Sequence, residues 1–173
     1  MRSFKTLLVL AVIIVIGVLI AWRMNYESYN KQKHPAIINP TDVNKELVDS
    51  SMQGIGNGHH ISAFKLINQN GEEVTEKIIE GKVFVADFFF TTCGSICPKM
   101  TSQLERVQEE FKGEKNFMIL SHTVLPETDT AEVLKLYADQ HGADPAKWIF
   151  LTGDKKEIYR LARKSYFLVK EPA

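Results

Sequence analysis

The chain has 173 residues, 45% of them apolar, and its 21 basic and 21 acidic side chains leave no formal net charge. It carries no basic block, so the electrostatic footprint of a nucleic-acid-binding protein is missing and nucleic acid is excluded as a partner. The apolar fraction is inflated by the N-terminus, where residues 7–22 (LLVLAVIIVIGVLIAW) are uncharged and follow Arg2 and Lys5. With Thr6 the run is 17 residues, at the short end of what spans a bilayer. A secretory signal peptide needs small residues at a cleavage site. Ala21 is instead followed by Trp22 and Arg23, which suit an interfacial anchor. Residues 1–22 are therefore expected to be an uncleaved membrane anchor. Residues 23–50, polar and containing Pro35 and Pro40, read as a tether, and residues 51–173 as one domain of ordinary size. Arg23, Lys31 and Lys33 follow the span, so charge bias does not set its orientation.

Within that domain, residues 53–58 form a Gly-rich loop. Residues 61–67 and 72–74, joined by Asn68-Gln69-Asn70-Gly71, predict a short hairpin, because Asn-Gly supplies the positive φ angles such turns require. Residues 82–90 are apolar nearly throughout and predict a central strand covered on both faces. Met100, Leu104, Val107 and Phe111 fall at helical spacing and predict a helix over 98–111, ended by Gly113. A second strand follows over 116–124. Asp129-Thr130-Ala131-Glu132 resembles an N-cap, Asp129, with Glu132 at the third helical position, and opens a helix running to about His141. A third strand covers 148–151, Asp154-Lys155-Lys156-Glu157 opens a helix to about Arg163, and residues 167–169 begin another strand. Alternating strands and helices predict an α/β layer with a largely parallel sheet, whose site lies beyond the carboxyl ends of the strands.

Cys93 and Cys97, the only cysteines, lie just there, in Cys93-Gly94-Ser95-Ile96-Cys97-Pro98. Four residues is about one helical turn, so both sulfurs can face one side. Two convergent thiols suit Cu(I), and they also suit a disulfide. Pro98 fits the first turn of a helix, where its missing N–H was an orphan anyway. Cys97, at or next to the N-cap, is expected to have its thiolate favoured by the helix terminus. A disulfide across so short a loop would constrain little of the unfolded chain, which speaks against a purely structural pair.

Residues 88–98, Phe-Phe-Phe-Thr-Thr-Cys-Gly-Ser-Ile-Cys-Pro, closely resemble the Phe-x-Phe-Thr-x-Cys-x-x-x-Cys-Pro signature of the Sco/SenC family, membrane-anchored copper chaperones for cytochrome c oxidase. Pro126-Glu127-Thr128-Asp129-Thr130 resembles that family's Asp-Pro-x-x-Asp-Thr turn, and the resemblance runs over roughly residues 60–170. It implies a thioredoxin-like fold, copper as Cu(I) or Cu(II) on Cys93 and Cys97, and a histidine as third ligand. It also implies delivery to the oxidase subunit that carries the CuA site, with a copper donor protein upstream. The domain would face the periplasm or the mitochondrial intermembrane space. Two departures stand out. Leu125 replaces the first Asp of the turn. None of His34, His59, His60, His122 and His141 matches the position of the family's histidine, so the domain is expected to be incomplete at its C-terminus. His122, near the end of the second strand, is a weak candidate ligand, while His59 and His60 are expected to be exposed.

The strand before the cysteines also resembles that of thioredoxins, where a buried Asp stands six residues ahead of the first cysteine, as Asp87 does here. Asp87 could then exchange a proton with a thiol. Alternatively, it is exposed on an open edge or paired with Lys82 or Lys99. Copper delivery, with no catalytic residue, and thiol–disulfide exchange by Cys93, Cys97 and Asp87 both remain open. A peroxidase of the peroxiredoxin type ranks last, because Phe90 stands where that family has Thr.

Overall fold

The computed structural model describes residues 2–31 and 36–168, with side chains in the first helix described at 8 and 10–26. Contacts divide the chain at Ile37/Ile38 into two units. The first holds helix α1 (Arg2–Lys31), which continues nine residues past the expected end of the anchor at Trp22. Among the described residues, no helix is long and apolar enough to cross a membrane.

Among the described residues the second unit holds five strands and three α-helices: β1 (Lys65–Asn68), β2 (Glu73–Thr75), β3 (Val83–Phe89), α2 (Cys97–Glu110), β4 (Phe117–Thr123), α3 (Ala131–Gln140), β5 (Trp148–Thr152) and α4 (Lys155–Lys164). The part of the expected tether nearest the domain is structured. Val48 and Asp49 are buried, and the Asn39 side-chain oxygen accepts from the N–H groups of Gly58 and His59. Composition hides this, because the segment is held by polar side-chain bonds and by two buried apolar residues, Pro40 and Val48.

The strands form one sheet in the order β2-β1-β5-β4-β3. β3, β4 and β5 are parallel, whereas β1 runs antiparallel to both β5 and β2. The sheet is thus evenly mixed rather than largely parallel. β1 and β2 form the predicted hairpin, with Gly71 at φ +80° in its turn. β3 has one strand neighbour among the described residues and lies at the sheet's edge, not its centre. The fully buried strands are β4 and β5. Both faces of β3 are packed, which is why its sequence reads like an interior strand: an apolar run reports coverage of faces, not pairing of edges. α2 and α3 cover one face, packing Leu104, Leu134 and Ala138 on Phe89, Ile119, Trp148 and Phe150. α4 covers the other, packing Ile158 and Leu161 on Leu66, Met118, Leu120 and Leu151. Phe167 and Leu168 are outside any strand, and Val169, like His34, lies outside the described residues.

Candidate metal and thiol site

The chain leaves β3 at Phe89, turns through Thr91 and Thr92, and enters α2 at Cys97. Cys93 and Cys97 are both unoxidised and nearly covered, 9% and 5% exposed, and they join the core cluster under α2 and α3. Gly94, Ser95 and Ile96 between them are exposed, with Ile96 at 69%.

The favoured thiolate is Cys93, not Cys97. The Cys97 thiol, the backbone N–H groups of Ser95 and Cys97, and the Ser95 hydroxyl, 3.6 Å from Sγ, favour its thiolate and bring the Cys93 pKa down to about 6. Burial has the smallest effect there and acts in the opposite sense. Burial pushes the Cys97 thiol up, and the neighbouring Cys93 and Asp87 add to this. The geometry explains the reversal. Helix N-terminal N–H groups point back toward the residues that precede the helix. Cys97 is the first residue of α2, after Ile96 at the cap, and its side chain turns into the core. Cys93 instead lies where the N–H groups of Ser95 and Cys97 favour its sulfur.

Beneath the sulfurs lies a polar chain within the apolar cluster. Trp148 Nε1 donates to Ser121 Oγ at 2.8 Å, and Ser121 Oγ donates to Asp87 Oδ1 at 2.5 Å. The indole can only donate, so it leaves the serine hydroxyl free to point at the carboxylate. Burial raises the Asp87 pKa to about 6, against the opposing pull of the Ser121 bond. Asp87 is thus buried although β3 is an edge strand, and its recorded partner is a serine rather than Lys82 or Lys99. On the far side of the pair, Thr101 Oγ1 donates to Cys97 O at 2.9 Å and lies 2.9 Å from Tyr137 Oη. Burial, together with Cys97, Asp87 and Cys93, pushes the Tyr137 phenol up.

His122 does not join this site. It is inside β4, fully buried, and shares the parity of Met118 and Leu120, so it points to the α4 face while Ser121 points to the cysteines. It stacks on Phe88 at 4.7 Å and meets the edge of Tyr166. Burial lowers its pKa to about 4. His59 is half-buried rather than exposed, with Nε2 2.9 Å from Ser165 O, while His60 is exposed. Among the described residues no group of three His, Cys, Asp or Glu side chains is placed to hold one metal ion. Ser121, Trp148, Thr101 and Tyr137 were not singled out from sequence. The available signal was that Asp87 breaks the apolar run of β3 and Ser121 begins the polar end of β4, and the two are register partners.

Residues 52–173 match the SCO1/SenC family model. The chain belongs to the SCO1/SenC family. It is 37% identical over 117 residues to the SCO1 protein homolog of Bacillus subtilis, covering 66% of this chain and 61% of that protein. The chain spans 43% to 61% of the length of the curated relatives it matches. Among solved structures it resembles BsSco, described as a Sco family cytochrome c oxidase assembly protein with a disulfide switch. The TM-score is 0.58 at 37% identity, covering 66% of this chain and 68% of that one. It also resembles Arabidopsis thaliana ScoI solved with copper bound, with a TM-score of 0.53 at 33% identity, covering 61% and 65%. The SCO1/SenC fold is thus present here as a thioredoxin-like α/β layer.

Proposed function

We propose that this chain carries copper between the sulfurs of Cys93 and Cys97 and delivers it to the CuA-bearing subunit of cytochrome c oxidase, loaded in turn by a copper donor protein. The observation that carries the reading is the pair of free cysteines at the start of α2, with the Cys93 thiol brought down by Cys97 and by the N–H groups of the turn. Copper is the cargo. Two soft thiolate donors suit Cu(I), and the described residues supply no third ligand. Exposed Gly94, Ser95 and Ile96 leave the pair approachable, so an incoming thiol can replace one sulfur at a time without a change in oxidation state. The Arabidopsis relative's bound copper supports the assignment.

Tethering by α1 belongs to the same reading. Its Leu, Ile and Val side chains at Leu8 and from Leu10 to Ile20 are exposed on all sides, which a lipid environment would cover. The 16-residue uncharged run gives ~24 Å of helix against a hydrocarbon core of ~30 Å, so flanking side chains or local thinning must make up the difference. In this reading the domain faces the periplasm or the mitochondrial intermembrane space.

Cu(I) competition against a chelator tests the ligands. Cys93→Ser and Cys97→Ser are each expected to lower affinity tenfold or more, about 1.4 kcal/mol or greater. Unchanged affinity in both serine variants sinks the assignment.

Asp87 favours a second reading, thiol–disulfide exchange toward the oxidase's CuA cysteines. The Cys93 thiolate attacks a disulfide and expels one thiolate. Cys97 then passes its proton to Asp87 and attacks the Cys93 sulfur of the mixed disulfide, forming the Cys93–Cys97 disulfide and expelling the second substrate thiolate. Asp87→Asn is expected to slow reduction of a model disulfide at least tenfold. A rate equal to wild type removes Asp87 from this role.

A further inference from the structure

Asp129 is fully buried and accepts three hydrogen bonds from two threonines. Thr91 N–H donates to Oδ2 at 3.2 Å and Thr91 Oγ1 donates to Oδ1 at 2.5 Å, while Thr123 Oγ1 donates to Oδ2. Thr91 stands two residues before Cys93, and Thr123 is the last residue of β4. The Asp129 N–H is itself held by Leu125 O at 2.9 Å, and the next residue, Thr130, caps α3. One carboxylate therefore ties the β3–α2 turn to the β4–α3 turn. Sequence reading placed Asp129 at the helix cap, but Thr130 takes that role and frees Asp129 for the turn. Gripping both the amide and the hydroxyl of Thr91 fixes the residue's position and its side-chain rotamer together. The chain continues under restraint, with Cys93 N–H donating to Phe90 O at 3.2 Å. A buried carboxylate is costly unless its acceptors are filled, and a filled network rigidifies what it joins.

We propose that Asp129 is a positioning residue for the cysteine pair, acting through Thr91 to fix the turn that holds Cys93 against Cys97. The proposal rests on these cysteines being the working pair, and it does not depend on copper. Holding two thiols in place raises the effective concentration of one for the other. Loosening the turn therefore disfavours their disulfide. The metal-free full chain is equilibrated with oxidised and reduced dithiothreitol. In that exchange the two thiols give two electrons and two protons to the reagent's disulfide, producing the Cys93–Cys97 disulfide and the reagent dithiol. Thr91→Val is expected to move the equilibrium about tenfold toward the protein dithiol, about 30 mV. Thr91→Ser keeps the hydroxyl and is expected to restore the wild-type value. Ser62→Ala loses bonds to Ser165 and Arg160 beside α4 and serves as the control for general destabilisation, with no shift expected. If Thr91→Val fails to fold, Asp129→Asn is read by the same criterion. An unshifted equilibrium, or an equal shift in Ser62→Ala, overturns the positioning role and leaves copper binding standing. Failure of the wild type to bind Cu(I) removes the copper reading and leaves this equilibrium measurable.

Discussion

Two buried titratable groups on opposite faces of the sheet have pH dependences that should cancel. His122 is neutral in the fold, its pKa lowered by burial from 6.5 to about 4. Between those values the unfolded chain binds the extra proton, so stability rises with pH, and acidification through the window costs about 3 kcal/mol. Asp87 has the opposite sign. Burial raises its pKa from 3.8 to about 6, so the folded chain holds the extra proton between those values. Stability then falls as pH rises, again by about 3 kcal/mol over the window. The windows overlap between about 4 and 6, and the slopes, each about 1.4 kcal/mol per pH unit, offset one another there. His122→Phe keeps an aromatic ring against Phe88 and Tyr166 and leaves only the Asp87 slope. Its deficit relative to wild type should be about 3 kcal/mol larger at neutral pH than near pH 4. Asp87→Asn leaves only the His122 slope and should be more stable than wild type at neutral pH by up to about 3 kcal/mol, the gain fading toward pH 4. The double variant should return to the wild-type profile. Urea unfolding followed by circular dichroism at a series of pH values reads all four proteins. Exposed carboxylates contribute equally to each and drop out of the differences. Curves for His122→Phe and wild type that stay parallel from about pH 4 to 7 would refute the reasoning.

Iodoacetamide labelling of the metal-free protein at neutral pH should modify Cys93 before Cys97, with a rate that climbs through about pH 6, as peptide mass spectrometry can follow. Labelling of Cys97 first contradicts the assignment of the favoured thiolate to Cys93. Alkaline carbonate washing of expressing cells should leave the full chain in the membrane pellet, and release to the supernatant would remove α1 as an anchor.

The elements were legible where local chemistry decides them. Asp154 caps α4 by accepting from the Glu157 N–H, as its spacing with Glu157 predicts, and Gly71 closes the hairpin. The sheet order was not legible, because the apolar run of β3 records that its side chains pack into apolar clusters on both faces and is silent about which edge is paired. The buried clamp at Asp129 was hidden for a different reason. A carboxylate beside a helix start reads as a cap, and only the fold brings Thr91, 38 residues earlier, to its other side.

Strand parity settles more of the candidate site than any single residue type. Side chains along a strand alternate between faces, so once Asp87 is assigned to the cysteine face, its register partner Ser121 shares that face and His122 must lie on the other. His122 was a candidate ligand because imidazole binds metals, yet a shift of one residue along β4 puts the sheet itself between it and the sulfurs. Ser121 and Trp148 carry no such chemical advertisement, yet Ser121, itself held by Trp148, bonds the Asp87 carboxyl that neighbours Cys97. Reverting the parity tests this directly. Exchanging Ser121 and His122 would bring an imidazole to the cysteine face and remove the hydroxyl that bonds Asp87. If the face decides ligation, that exchange, where it folds, should strengthen Cu(I) binding in the same chelator competition, while His122→Phe leaves it unchanged. A loss of affinity in His122→Phe equal to that in Cys97→Ser would show that His122 reaches the metal after all.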